Sequence, residues 1–267
     1  MRRRTIVAVP LAAAAAPLAA GTAASAHRTP GPKPTIVLVH GAFADASGFT
    51  EVVKRLQRNG YPVLAPANPL RGVDSDSAYV RAVLSGLTGP IVLVGHSYGG
   101  FVATNAATGN ANVKALVYVA AFAPDAGDTV ESLSAKFPGS RLGPDALDLR
   151  PNLGSTPDGY IKQSLFHEVF CADLPASTAA AMAATQRPAD LATLRQPSGV
   201  PAWKTIPAWT LVAKDDRVIP ADTQRFMARR AGARVVEVRA SHVAMTSKPD
   251  TTVDLILAAA RSTAQGA

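Results

Sequence analysis

The pentapeptide Gly95-His96-Ser97-Tyr98-Gly99, set directly behind the apolar run Pro90-Ile91-Val92-Leu93-Val94, leaves this chain few folds to adopt. A short unbroken apolar run reads as a strand buried on both faces. Residues 98–108 are compatible with a helix, so the chain must pass from strand to helix within the pentapeptide. Such a turn forces its central residue into a backbone conformation that L-residues rarely adopt. It also brings helix and strand so close together that glycines must flank it. The pattern is that of a nucleophile elbow, which lifts a serine hydroxyl above the end of a sheet. Ser97 is therefore the candidate nucleophile.

Further apolar runs of strand length stand at 35–39, 61–65, 113–120, 208–213 and 233–238, which with 90–94 predict six buried strands. Helix-compatible stretches lie between them at 48–58, 77–87, 98–108 and 221–231, and Asn59-Gly60, Gly109-Asn110 and Gly232 supply left-handed caps. Residues 248–261 read as a last covering helix. This alternation argues for an α/β fold with a mainly parallel six-stranded sheet and helices on both faces. It stops at about 124–204, where Pro, Gly, Ala and Ser dominate and no strand is expected. The interval is too long for a loop. Helical patches at 159–170 and 175–185 predict a helical cap inserted over the active edge of the sheet. Phe43, Phe122, Phe166 and Trp203 are candidate pocket-lining residues, with His167, Phe170, Cys171 and Met182 as further cap candidates.

A serine hydroxyl is inert without a base, and the chain offers five histidines. His27 heads a Pro/Gly-rich stretch, His40 sits in the His40-Gly41 turn, and the elbow directs the side chain of His96 away from Ser97. His167 falls in the irregular middle of the chain. His242 follows the strand-like segment 234–239 and precedes the final helix, where a loop can lean over the carboxyl edge of the sheet. It is the candidate base. A carboxylate in a loop after another strand, ahead of the base in the chain, completes such a set. The run 208–213 ends in Lys214-Asp215-Asp216-Arg217-Val218-Ile219-Pro220. Successive residues leaving a strand point in opposite directions, so only one of Asp215 and Asp216 can face His242.

Three separated motifs carry a family resemblance: Thr35-Ile36-Val37-Leu38-Val39-His40-Gly41-Ala42-Phe43, the elbow through Gly100, and Ser241-His242-Val243-Ala244-Met245. In order and spacing they resemble the oxyanion strand, elbow and histidine loop of the α/β-hydrolase superfamily over residues 35–263. The chain is most similar to its compact bacterial esterase-like branch, which is related to plant methyl-ester esterases and hydroxynitrile lyases. The resemblance implies Asp216 as the third member, because Asp216-Arg217-Val218-Ile219-Pro220 looks like the family's acid loop. It also implies oxyanion donors at the backbone N–H of Ala42 and Tyr98, with Phe43 as the neighbouring alternative to Ala42. His40 and His96 are then structural, no cofactor is needed, and a small-molecule ester is cleaved through an acyl-enzyme. Hydroxynitrile lyases of similar sequence carry threonine and lysine where this chain has Gly41 and Val243, which argues against cyanohydrin cleavage. Cofactor-free haloperoxidase or perhydrolase chemistry, lactone opening and a non-catalytic ligand-binding role are the alternatives on the same residues.

Arg2-Arg3-Arg4 precedes an uncharged, Ala-rich stretch that ends in Ala24-Ser25-Ala26. Residues 1–26 read as a cleaved signal peptide of Tat or Sec type, 27–34 as a short leader, and 35–267 as one hydrolase domain with its cap. Secretion is expected. Pro10, Pro17 and Gly21 interrupt the stretch, which argues against a stable membrane anchor. Loss of the three arginines and no acid would lower the formal net charge from +8 to about +5. No basic tract is interleaved with aromatics, so no nucleic-acid partner is expected. The single cysteine, Cys171, excludes a disulfide within the monomer, and no metal-ligand spacing occurs.

Overall fold

The structure, a computed structural model, describes Thr5 and residues 32–263. Apart from Thr5, the expected signal peptide lies outside the described residues. The chain begins with β1 (Thr35–Val39), α1 (Thr50–Arg58), the short β2 (Val63–Leu64) and α2 (Val73–Ser85). β3 (Ile91–His96) passes through the elbow into α3 (Tyr98–Ala106), and β4 (Val113–Val119) leads to the insertion. The insertion carries α4 (Val130–Ser134), β5 (Leu147–Arg150), β6 (Asp158–Ile161), α5 (Gln163–Phe170), α6 (Ala176–Thr185), β7 (Ala189–Asp190) and α7 (Ala192–Arg195). The main layers resume with β8 (Ala208–Ala213), α8 (Ala221–Arg230), β9 (Arg234–Val238), α9 (Ala244–Ser247) and α10 (Pro249–Thr263).

The six-stranded sheet has the order β2-β1-β3-β4-β8-β9, and every neighbouring pair is parallel. Parallel neighbours need crossovers, which α1, α2, α3, the insertion and α8 supply, and among the helices α2 packs with α3 and α1 with α9 and α10. From β1 the chain goes outward to β2 on one side and then returns to β3 on the other. Where the strand order reverses in this way, the loops at the carboxyl ends part and leave a crevice. The residues after β1 and after β3 face each other across it.

The central strands bear out the expected buried runs: Ile36 to Val39, Ile91 to Val94 and Leu211 to Ala213 have no exposed surface. Two outer strands differ from expectation. β2 is two residues long, and β9 is largely exposed although three of its five residues are valines. β9 pairs only with β8, and it carries Glu237, bridged to Arg225 of α8, and on its other face Arg234, lying over the Trp209 ring. An edge strand is blunted by such charges. Gly60, Gly109 and Gly232 do adopt positive φ at the ends of helices, as their sequence positions imply.

The largest difference lies in the cap. It contains an antiparallel sheet of order β5-β6-β7 where no strand was expected, and the helix-like stretch 159–170 splits into β6 and α5. Strands of two to four residues are too short for a period-two pattern to stand out. They form here because tertiary contacts outweigh local propensity.

Candidate active site

The strain expected at the elbow is present at Ser97, with φ 53° and ψ −127°. Holding a serine there costs of the order of 1–3 kcal/mol, so the surroundings must over-determine it. They do so through backbone hydrogen bonds. Ser97 N–H donates to Ala120 O at 3.2 Å, and Ser97 O accepts from Gly100 N–H at 3.0 Å and Phe122 N–H at 3.2 Å. Steric demand is equally tight. A Cβ on Gly99 would lie 2.2 Å from Val39 O, and one on Gly41 would lie 2.5 Å from Ser97 Cβ. Only glycine permits the turn after β1 to press against the elbow after β3.

His242 follows β9 and is wholly buried. Its ring lies between His96, at a centroid distance of 4.8 Å, and Phe170 of the cap, at 5.1 Å. Nδ1 donates to Asp216 Oδ2 at 2.8 Å, which leaves Nε2 as the acceptor nitrogen. Among the described residues Nε2 is buried and has no hydrogen-bond partner. Unsatisfied buried groups are rare, and this one lies on a histidine packed against the residue that precedes the strained serine, which leaves Nε2 free as a candidate base.

Asp216 is buried and fully engaged. Oδ1 accepts from Val218 N–H at 2.7 Å and Ile219 N–H at 3.0 Å, while Oδ2 accepts from Gln224 Nε2 at 2.8 Å as well as from His242. Asp215 points the other way, with half its side chain exposed and an ion pair to Arg239 at 3.5 Å. The two adjacent acids therefore have separate environments, and only Asp216 meets the imidazole.

Tyr98 is the first residue of α3, so its backbone N–H has no acceptor within the helix. Its side chain is anchored by a hydrogen bond from the hydroxyl to Asp76 Oδ2 at 2.8 Å. Burial pushes the Asp76 carboxyl up, and burial with the neighbouring Asp76 pushes the Tyr98 phenol well above its usual range. Ala42 and Phe43 occupy the turn against the elbow, Phe43 with φ 60°. His40 and His96 make backbone contacts. His40 Nδ1 donates to Gly41 O at 3.0 Å and its Nε2 accepts from Asn68 N–H at 2.9 Å, while His96 Nε2 donates to His242 O at 2.9 Å. Burial lowers both imidazole pKa values, that of His96 furthest, with the adjacent His242 adding to it.

Of the four pocket candidates only Phe43 lines the cavity that adjoins these loops. Phe122 packs edge-on against Phe101 in the core. Phe166 is buried against Phe170, behind the ring that touches His242. Trp203 donates from its indole to Pro124 O at 2.7 Å and so ties together the two ends of the insertion. Phe122, Phe166 and Trp203 are thus placed by the neighbours they pack against. His167 closes a turn through Nε2 to Leu174 O, and burial pushes the Cys171 thiol up to about 12.

Two contributors escaped the sequence reading. Gln224 clamps the acid loop, donating to Asp216 and to Ile219 O and accepting from Ala213 N–H. A polar residue on the buried face of α8, in register with Met227 and Ala228, was the available signal. Asp173 of the cap receives both the N–H and the hydroxyl of Ser241, and so holds the residue before His242. No local pattern pointed to that contact. Among the described residues, no group of three or more His, Cys, Asp or Glu side chains could hold a metal ion.

The sequence profile of the Alpha/beta hydrolase family matches residues 36–255. The chain is 30% identical over 245 residues to a pyrethroid hydrolase of Sphingobium wenxiniae, covering 83% of this chain and 85% of that protein. The crystal structure of a pyrethroid hydrolase from Sphingobium faniae superimposes with a TM-score of 0.71 at 25% identity, covering 87% of this chain and 99% of that one. A methylesterase from Arabidopsis superimposes with a TM-score of 0.70 at 18% identity over 86% of this chain and 99% of that one, a likeness of fold.

Proposed function

The chain belongs to the α/β-hydrolase family, and from that premise we propose that it cleaves carboxylic esters of small to medium size through an acyl-enzyme on Ser97. Relatives named as esterases and hydrolases support the carboxylesterase type. In this mechanism His242 Nε2 takes the proton of Ser97 as its oxygen attacks the ester carbonyl carbon. Asp216 keeps the proton on Nδ1 and stabilises the imidazolium that forms. The N–H groups of Tyr98 and Ala42 receive the developing oxyanion, where fixed donors are worth about 3–4 kcal/mol. Collapse expels the alcohol, which takes the proton back from His242. Water then attacks the acyl-enzyme by the same steps and releases the acid.

One observation carries this reading: a buried imidazole whose Nδ1 is committed to Asp216 and whose Nε2 has no partner, packed against the histidine that precedes a strained serine. Labelling with a fluorophosphonate tests it. One adduct per chain, on the peptide that contains Ser97, is expected. Active protein that resists the label, or carries it elsewhere, would remove Ser97 from the role. The leader supports export, and native protein isolated from the medium should begin at or near His27 by N-terminal sequencing.

A further inference from the structure

A cavity of about 460 Å³ lies between cap strand β5 and helix α7, within the range of small-molecule sites. Five leucines stand in its wall, and none of them is fully buried. Leu142, Leu147, Leu191 and Leu194 are half-buried, and Leu149 is 55% exposed, yet all five line this one space. Soluble proteins seldom gather apolar side chains round an opening without an occupant for them. The floor is formed by Phe43 and Val218. Phe43 follows Ala42 on the turn that presses against Ser97, and the Val218 N–H donates to Asp216. A group seated in the cavity therefore touches the turn that presses against Ser97 and the loop that holds Asp216.

The charges at the cavity are balanced. Glu131 and Arg195 stand 3.8 Å apart, each about two-thirds exposed, and so answer each other at the rim. Ser140, which also lines the cavity, spends its hydroxyl on Val218 O. A carboxylate entering here would lose hydration and meet no free cation, whereas a hydrocarbon group would cover leucine surface already turned towards it.

We infer that this leucine chamber receives the larger apolar half of a neutral ester, and that Leu194 sets the size it admits. The inference rests on the serine-hydrolase reading for the reaction, but the chamber can be tested apart from it. Wild type and Leu194→Trp are compared by proton release on methyl acetate, methyl cyclohexanecarboxylate, cyclohexyl acetate and monomethyl succinate. The wild type should favour at least one cyclohexyl ester over methyl acetate by tenfold or more in kcat/KM, and should favour monomethyl succinate over neither. Leu194→Trp should lower the ratio of that cyclohexyl ester to methyl acetate by at least tenfold. Leu149→Trp, at a more open position, serves if the first variant does not fold. Binding of cyclohexyl methyl ketone to Ser97→Ala, with and without the tryptophan, reads the chamber without chemistry and should weaken at least tenfold. Ratios and ketone affinity that stay within threefold in the tryptophan variants would overturn the chamber while leaving the hydrolase reading intact. Absence of both ester turnover and fluorophosphonate labelling, with Leu194-sensitive ketone binding, would overturn the hydrolase reading and keep the chamber.

Discussion

The carboxyl edge of the main sheet and the cap are built by opposite means. At the edge, Ser97, Asp216 and His242 are buried, each held by backbone or side-chain hydrogen bonds, and glycines stand where a single Cβ would meet main-chain or serine atoms at 2.2–2.5 Å. In the cap, β5 and α7, four residues each, and the loops beside them present leucines that are half-buried or exposed, and its ion pairs are mostly at the surface. Close packing leaves no freedom to the reacting groups. Open apolar surface can change without disturbing them. Geometry that must be exact to a few tenths of an ångström is thus kept apart from surface that selects what enters.

The sharpest way to break this contrast is at the adjacent acids. Asp216→Asn should depress turnover about 10³- to 10⁴-fold, because an amide in that place favours the wrong imidazole tautomer. Asp215→Asn should change it less than about tenfold, because it removes one member of an exposed ion pair. Equal losses, or the reverse order, measured as kcat/KM on one ester, would transfer the orienting role.

Stability gives a second comparison between the two regions. Gly99→Ala forces a methyl group to within 2.2 Å of Val39 O and should cost about 3 kcal/mol or more in chemical denaturation. Leu149→Ser in the cap, at a position 55% exposed, should stay within about 0.5 kcal/mol. A cap substitution as costly as the elbow substitution would show that the cap is part of the rigid frame.

The smallest expected effect is a pH dependence that belongs to the edge alone. Burial lowers the pKa of His40 and His96 below the ordinary 6.5. The unfolded chain therefore binds protons that the folded chain refuses. Stability from this source is complete above about pH 6.5 and falls as the pH drops below it. Replacing His40, the less deeply shifted of the two, with Gln should flatten the slope of unfolding free energy between about pH 6.5 and 5. An unchanged slope would mean that other groups take up those protons.

The sequence was informative where steric or periodic rules are strict. The elbow had to be Gly-x-Ser-x-Gly because Gly95 and Gly99 lie against the backbone of the facing elements, and the central strands had to be continuous apolar runs because both faces are covered. The position of His242 after the last strand was legible for the same reason: parallel topology delivers every strand's carboxyl end to one edge. Asp216 needed the family pattern as well, since alternation alone left Asp215 open. The cap was legible only in its two longest helices, since 175–185 holds α6 and the later part of 159–170 holds α5. Its β5 and β6 are too short for periodicity, and its contacts to the edge, Phe170 on His242 and Asp173 on Ser241, join residues about 70 apart in the chain with no local signature. Gln224 lay between these cases, visible as a buried polar residue in a helix but with nothing to say what it held.

The central claim is that one strained serine at the edge carries the reaction, and ester turnover by Ser97→Ala measures it most directly. The variant removes a single oxygen from a residue whose place is fixed by its backbone contacts, so its denaturation curve should match the wild type closely. Its turnover should fall by several orders of magnitude. A correctly folded Ser97→Ala that kept more than about a hundredth of the wild-type rate would contradict the assignment.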